Sequence, residues 1–243
     1  MKPTGRPAFG RSGPIELLND AMEAVMQKKN FAVILSGCGH QDGAEIHEAT
    51  LTLLAIHKHG AEFHCYAPDV KQHHVLNHIT GQEMKEQRNV LIESARIARG
   101  KIAALATFSA DAVDALVIPG GFGAAKNLCS YAFDGPKCTV NADVSRAVKA
   151  MHAAGKPIGA LCIAPVILAK VLGGVDLTIG QDAATAENLA AMGAKHIPTW
   201  QGEIAIDEKN RVVSTPCYML NSRVDQIAEG ADKLIQAMLA MMV

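Results

Sequence analysis

The sequence predicts a doubly wound α/β sandwich, in which a mainly parallel sheet lies between helices, and three observations lead to that expectation. Short apolar runs without in-and-out alternation, FAVILS at 31–36 and IGAL at 158–161, read as strands buried on both faces. These runs alternate with stretches of helical spacing, the pattern of parallel strands joined by crossover helices. Glycines gather where predicted strands end, in SGCG at 36–39 and PGGFG at 119–123, so function is expected at the carboxyl edge of the sheet.

The elements follow in order. A short helix is expected from about Pro14 to Gln27, before the first strand at 31–36. GAEIHEATLTLLAIHKHG then predicts a helix marked by Glu45, Glu48, Leu51 and Leu54 and closed by Gly60. AEFHCYAP at 61–68 is a second strand, and RNVLIESARIARG at 88–100 a second long helix. Within 110–128 a third strand, VDALVI, runs into a glycine loop and a helix. A helical period over 140–157 ends at a Gly-x-Pro stop, and the strand at 158–161 meets Cys162 and then another helix. DLTIG at 176–180 is strand-like, TAENLAAMG at 185–193 helix-like, and 203–215 a hairpin. A final helix spans about Ser222 to Met241. No internal repeat or linker divides the chain, so the domain reading is an amino-terminal extension over 1–30 and one folded domain over 31–243.

Composition narrows the function classes. A domain of this length buries roughly 70 to 75% of its unfolded surface and needs no staples. Lys and Arg number 23 against 24 Asp and Glu, which argues against a non-specific nucleic-acid binder. With only 4% aromatic residues, base-stacking platforms are a poor fit as well. No apolar run reaches the ~18 residues of a membrane span. The six cysteines are scattered with no C-x-x-C pair, so free thiols in a reducing compartment are expected. Lys2, Arg6 and Arg11 in the first 13 residues leave open a transit segment, an alternative start or a cloning remnant.

Cys162 is the strongest candidate for chemistry. Placed between a strand and a helix, its sulfur would be exposed on a sharp turn, near unpaired helix N–H groups that favour a thiolate. The plainer alternative is a buried core cysteine. PGGFGAAKN lets backbone N–H groups approach a small ligand as a nest or half of an oxyanion hole, or forms only a tight turn. It lacks both the G-x-G-x-x-G and the G-x-x-x-x-G-K-[ST] fingerprints, so no nucleotide cofactor is expected. Glu45 and Glu48, three residues apart, share one side of the first helix near its start. Either could orient a thiol or shuttle a proton, or simply complement the helix dipole. His40, His47, His73, His74 and His78 occur without a metal-ligand frame, and no metal is expected. Cys38, close to the first strand end, reads as core packing or a redox bystander, with a second reactive thiol as the alternative, and Cys65, Cys129, Cys138 and Cys217 read as packing.

Together these motifs resemble the class I glutamine amidotransferase-like superfamily and, within it, the ElbB-like enhancing-lycopene-biosynthesis family of the DJ/PfpI-related branch. ILSGCGHQDGAEIHEA (34–49), NHITG (77–81), RNVLIESARIARGKI (88–102), PGGFGAAKNL (119–128), GKPIGALCIAP (155–165), LTIG and STPCYML carry the resemblance, over about 31–240. It implies a three-layer flavodoxin-like sandwich with Cys162 at a nucleophile elbow. By position, Gly121 and Ile163 become the backbone donors to an oxyanion, and Glu48 the carboxylate against the cysteine, with Glu45 as competitor. Where amidotransferases carry a histidine after the elbow, this chain has Gly180, and His196 lies too far along to be assigned that part.

The resemblance further implies a cofactor-independent glyoxalase activity converting glyoxal or a small 2-oxoaldehyde to a 2-hydroxy acid through Cys162. Its alternative is a non-catalytic metabolic accessory or small-metabolite sensor. The partners implied are a small aldehyde or metabolite and a second copy of the chain in a homodimer, with neither nucleic acid nor membrane. The location expected is cytoplasmic, with mitochondria as the alternative.

Overall fold

The computed structural model describes residues 28–242, so the expected helix at 14–27 lies outside the described residues. Its centre is a seven-stranded sheet in the order β3-β2-β1-β4-β5-β9-β8. The strands are β1 (Asn30–Ile34), β2 (Glu62–Ala67), β3 (Ile102–Ala104), β4 (Ala115–Ile118), β5 (Ile158–Leu161), β8 (Ala205–Asp207) and β9 (Val212–Thr215). Every pair is parallel except β8 with β9, the predicted hairpin at one edge.

The period-two pleat divides the sheet's side chains between two dry layers. Ala32, Ile34, Leu116, Ile118, Ile158, Ala160 and Val212 face one side, where they meet α4 (Ala142–Ala153) and α5 (Pro165–Leu172). Phe31, Val33, Ala115, Val117, Leu161 and Val213 face the other, against α1 (Ile46–Lys58) and α7 (Val224–Ala240). The central strands are buried along their whole length, which is why their sequences show no alternation. The result is the mainly parallel, three-layer flavodoxin-like sandwich that the sequence predicts.

Helix ends follow local chemistry. Asn89 caps α2 (Val90–Ile97) through a bond from the Ile92 N–H, and Asn141 caps α4 by accepting from Asp143 and Val144. The Asp182 carboxylate accepts from the Thr185 N–H at the start of α6 (Ala183–Ala191), and the Thr185 side chain first and this N–H second hold it below its ordinary pKa. Pro165 opens α5, where its missing N–H costs nothing.

Four segments differ from the sequence expectation. Only Asp176 and Leu177 of DLTIG form a strand, β6, which pairs with β7 (Lys195–His196) outside the main sheet. Neither β7 nor β3 was expected, because two or three half-exposed residues carry no readable period. The segment after the glycine loop is a single π-helical turn, Ala124–Leu128, followed by the short α3 (Tyr131–Asp134). That turn points Asn127 inward, where its amide donates to the carbonyls of Ser36 (2.9 Å) and Asp42 (3.0 Å) and accepts from the His73 N–H (2.9 Å).

β5, the strand that presents Cys162, lies directly under α7. A side-chain carbon added at Gly159 would stand 2.7 Å from Met238 Sδ and 2.8 Å from Leu234 Cδ2. Gly159→Val is therefore expected to destabilise the fold by about 1–3 kcal/mol through overpacking, read as a lower urea midpoint at unchanged m-value.

Candidate active site

Cys162 occupies a strained turn. It has φ 57°, in the left-handed region that side chains rarely adopt, which costs about 1–3 kcal/mol. Its N–H donates to the Thr215 carbonyl (2.9 Å), and the Ala164 N–H closes the turn onto Leu161 (2.9 Å). The side chain is 7% exposed. Its sulfur accepts from the N–H groups of Gly121 and Ile163, the two amides that the resemblance implies as oxyanion donors.

Glu48 lies beneath that sulfur with no exposed surface. One oxygen accepts from the Gly120 N–H (3.0 Å), the other from the Tyr218 N–H (3.4 Å), and the carboxyl also hydrogen-bonds the Cys162 thiol. Burial first, and the nearby Glu45 second, push its pKa up to about 8, so it is largely protonated at neutral pH. The Cys162 thiol is likewise raised well above its ordinary value, by burial and by Glu48. Its two amide donors pull the other way without winning, and no cation figures among the main influences on it. The resting pair is a neutral acid against a neutral thiol.

Glu45 has a different place. It is the N-cap of α1, accepting from the Glu48 N–H (2.7 Å), and its own N–H donates to the Gly120 carbonyl (3.0 Å). Whereas Glu48 sits under the sulfur, Glu45 lines the cavity above it.

That cavity holds about 870 Å³ and is lined by Cys162, Ile163, Gly121, Phe122, Glu45, His40, His47, Tyr131, Asp182, Asn188, Tyr218 and Met219, among others. It opens at the carboxyl ends of β4 and β5, as the strand order predicts. His47 Nδ1 and the Tyr218 hydroxyl lie 2.9 Å apart, and Glu45 is 4.0 Å from the same ring nitrogen. Tyr218 lies in the STPCYML motif but is given no role by the sequence, because it follows β9, far from Cys162 in the chain, and the motif does not say what its side chain meets. His40 packs edge-on against His78, while His73 and His74 turn away onto Phe133. Among the described residues no group of three His, Cys, Asp or Glu side chains is placed to hold a metal ion.

Close approach of the loops requires glycine. A carbon added at Gly120 would fall 2.5 Å from Cys162 Cβ and 2.7 Å from Glu48 Oε2. The position where an elbow histidine would stand is also closed. Gly180 has φ 83°, and a side chain there would meet Leu220 Cδ2 at 2.9 Å and Pro216 Cβ at 3.1 Å. His196 packs against the Gly180 backbone, is held below its ordinary pKa by burial, and does not line the cavity.

No family model matches the chain. It is 49% identical over 222 residues to the mitochondrial ES1 protein homolog of Rattus norvegicus, covering 87% of this chain and 84% of that one. It is 50% identical over 218 residues to the mitochondrial glutamine amidotransferase-like class 1 domain-containing protein 3 of Homo sapiens, covering 86% and 81%. The mitochondrial ES1 protein of Danio rerio is 36% identical over 207 residues, covering 78% and 77%. A crystal structure of an isoprenoid biosynthesis protein with an amidotransferase-like domain from Ehrlichia chaffeensis superposes with a TM-score of 0.81 at 36% identity, covering 87% of this chain and 99% of that one. These relatives correct the expected cytoplasmic location: the rat, human and zebrafish proteins are all mitochondrial by name, which favours the mitochondrial alternative. Among the described residues no helix is long and apolar enough to cross a membrane.

Two outcomes follow from the geometry. In the native state Glu48 holds a proton that the unfolded chain releases near pH 4.5. Its contribution to stability is thus complete below that pH and is lost as pH rises towards 8, by up to about 1.4 kcal/mol per unit. Urea titrations across this range should show wild type losing stability relative to Glu48→Gln, with the difference levelling off above pH 8. Gly180→His should cost about 2–5 kcal/mol from the left-handed backbone and the collision with Leu220, measured by the same titration at pH 7.

Proposed function

The chain belongs to the ElbB-like family of the DJ-1/PfpI superfamily, with its class I amidotransferase-like fold, and from that footing we propose that the Cys162 cavity binds and senses a small carbonyl metabolite. The observation that carries this reading is the neutral Cys162–Glu48 pair, which has a thiol ready to add but no cation to keep it as a thiolate. In the binding step the sulfur forms a bond to the aldehyde carbon, the carbonyl π bond breaks, and the thiol proton ends on the new hydroxyl. The hemithioacetal so formed needs no water or cofactor and releases the aldehyde by the reverse path. The N–H groups of Gly121 and Ile163, which meet the sulfur in the resting state, stabilise the oxygen while it is negative. Glu45, His47, Tyr218 and Asp182 supply polar partners for a second oxygen of a 2-oxoaldehyde.

Turnover to a 2-hydroxy acid is the second reading, favoured by the contact between Glu48 and the sulfur. After addition, the proton on the carbon bonded to sulfur must move to the neighbouring carbonyl carbon and the proton of the new hydroxyl to that carbonyl's oxygen, leaving a thioester that water cleaves to the hydroxy acid and free thiol. Ionised Glu48 is the base for that transfer. With its pKa at about 8, only about a tenth of the chains carry the base at pH 7, so turnover is slow there and rises as pH approaches 8. Glutamine hydrolysis is disfavoured by the space filled at Gly180.

The test combines glyoxal with purified protein in the absence of metal and glutathione, following protection of Cys162 from alkylation and formation of glycolate. Saturable, reversible protection that disappears in Cys162→Ala, with glycolate accumulating to no more than about one equivalent per chain, supports a binding protein. Many turnovers lost in both Cys162→Ala and Glu48→Gln would replace that reading with the glyoxalase. Absence of protection would overturn both.

A further inference from the structure

The mechanism leaves a second pair of thiols unused. Cys129 and Cys138 stand at the two ends of segment 130–137, which the backbone folds back on itself. Cys129 bridges Val140 in antiparallel fashion. The Ser130 N–H donates to the Thr139 carbonyl (2.9 Å), the Asn141 N–H to the Leu128 carbonyl (2.8 Å), and the Thr139 N–H to Ser130 Oγ (3.0 Å). Because alternate residues of an extended segment share a side, Cys138 and Val140 both turn towards Cys129. The two thiols are neighbours, each the largest influence on the other's ionisation, and in the resting structure the Cys129 S–H donates to the Ala124 carbonyl (3.3 Å). Neighbouring sulfurs on one side of such a bridge have to close to about 2 Å to form a disulfide.

The two sulfurs are unequal. The hydrogen bond from Cys129 lowers the Cys138 pKa to about 7, with help from the Lys170 ammonium, which is anchored 3.0 Å from the Pro136 carbonyl. That same bond, with burial, raises Cys129. Cys129, Thr139 and Val140 line a shallow surface cleft with His73 and Phe133, which brings a small oxidant to Cys129 and to the residues that follow the buried Cys138.

We propose that Cys129 and Cys138 are a redox-active dithiol that closes to a disulfide when the chain meets a hydroperoxide. With hydrogen peroxide, Cys138 sulfur attacks one oxygen, the O–O bond breaks, and the departing hydroxide takes up a proton as water. Cys129 then attacks the resulting sulfenic acid: the S–S bond forms, the S–O bond breaks, and a second water leaves with the Cys129 proton. Two thiols are oxidised by two electrons and one peroxide is reduced to two waters. The bond would tie together the ends of the segment that contributes Tyr131 and Gly135 to the wall of the Cys162 cavity, whatever that cavity binds.

The experiment treats the full chain with a slight excess of hydrogen peroxide, removes it, and alkylates all remaining thiols in denaturant before tryptic digestion. Cleavage after Lys126, Lys137 and Arg146 places the two cysteines on separate peptides, 127–137 and 138–146. The expected product is those peptides joined and lighter by two hydrogens, with alkylation of Cys129 and Cys138 falling together by about tenfold or more. Dithiothreitol should reverse the link, Cys65 should stay alkylated, and Cys162→Ala should form the same link. Full alkylation of both cysteines after peroxide, separate oxidation to sulfinic or sulfonic acids, or a link from either to another cysteine would overturn the proposal.

Discussion

Glu48 carries a carboxyl group with no exposed surface, and three distant parts of the chain are arranged around it. Gly120 reaches it from the loop after β4, Tyr218 from the turn after β9, and Cys162 from the end of β5. Ionised at neutral pH, such a group would be a buried charge without a counter-ion, whose desolvation costs several kcal/mol. The chain avoids that cost by keeping the proton. The carboxyl then joins three loops through hydrogen bonds while adding no net charge beneath the cavity.

Backbone strain falls in the same place, at two of the four non-glycine residues with positive φ among the described residues. Cys162 and Cys217, which follow the neighbouring strands β5 and β9, both adopt positive φ, at 57° and 44°. Burial, Glu48 and Cys162 together hold the Cys217 thiol well above its ordinary pKa. The floor of the site is therefore buried and largely protonated at neutral pH, with Glu48, Cys162 and Cys217 predominantly neutral. Its rim is polar, with Glu45, His47, Tyr218 and Asp182 facing the same space. A weakly acidic thiol under a polar rim suits reversible capture of a carbonyl better than fast nucleophilic turnover. The close-packed sheet of buried strands supplies the rigidity that keeps two unfavourable backbone conformations in position.

Legibility varied with the range of the physics involved. The elbow at Cys162 could be read because an apolar strand, a reactive side chain and a helix start lie within a few consecutive residues. The paired glycines after β4 could be read for the same reason, although their tightest requirement, the close approach of Gly120 to Cys162 and Glu48, is a contact between distant segments. Glu45 and Glu48 looked equivalent, since spacing alone puts them on one side of a helix. Their separation into a cavity-lining cap and a buried acid depends on what the loop after β4 presses against α1. Asn127, which ties three segments together, and Tyr218, which touches both Glu48 and His47, lie within readable motifs, but nothing in those motifs says which distant groups their side chains meet.

By itself, then, the sequence determined the layered α/β architecture, the parallel central strands and the position of the cysteine on its turn. Each of these follows from hydrophobic period and turn chemistry within short windows. Tertiary structure alone decided which glutamate loses its charge, which side chains rim the cavity, why no histidine fits at position 180, and which of the six cysteines come to lie in pairs. Those outcomes depend on desolvation and on contacts between segments tens of residues apart. Such quantities arise only when the layers close and water leaves.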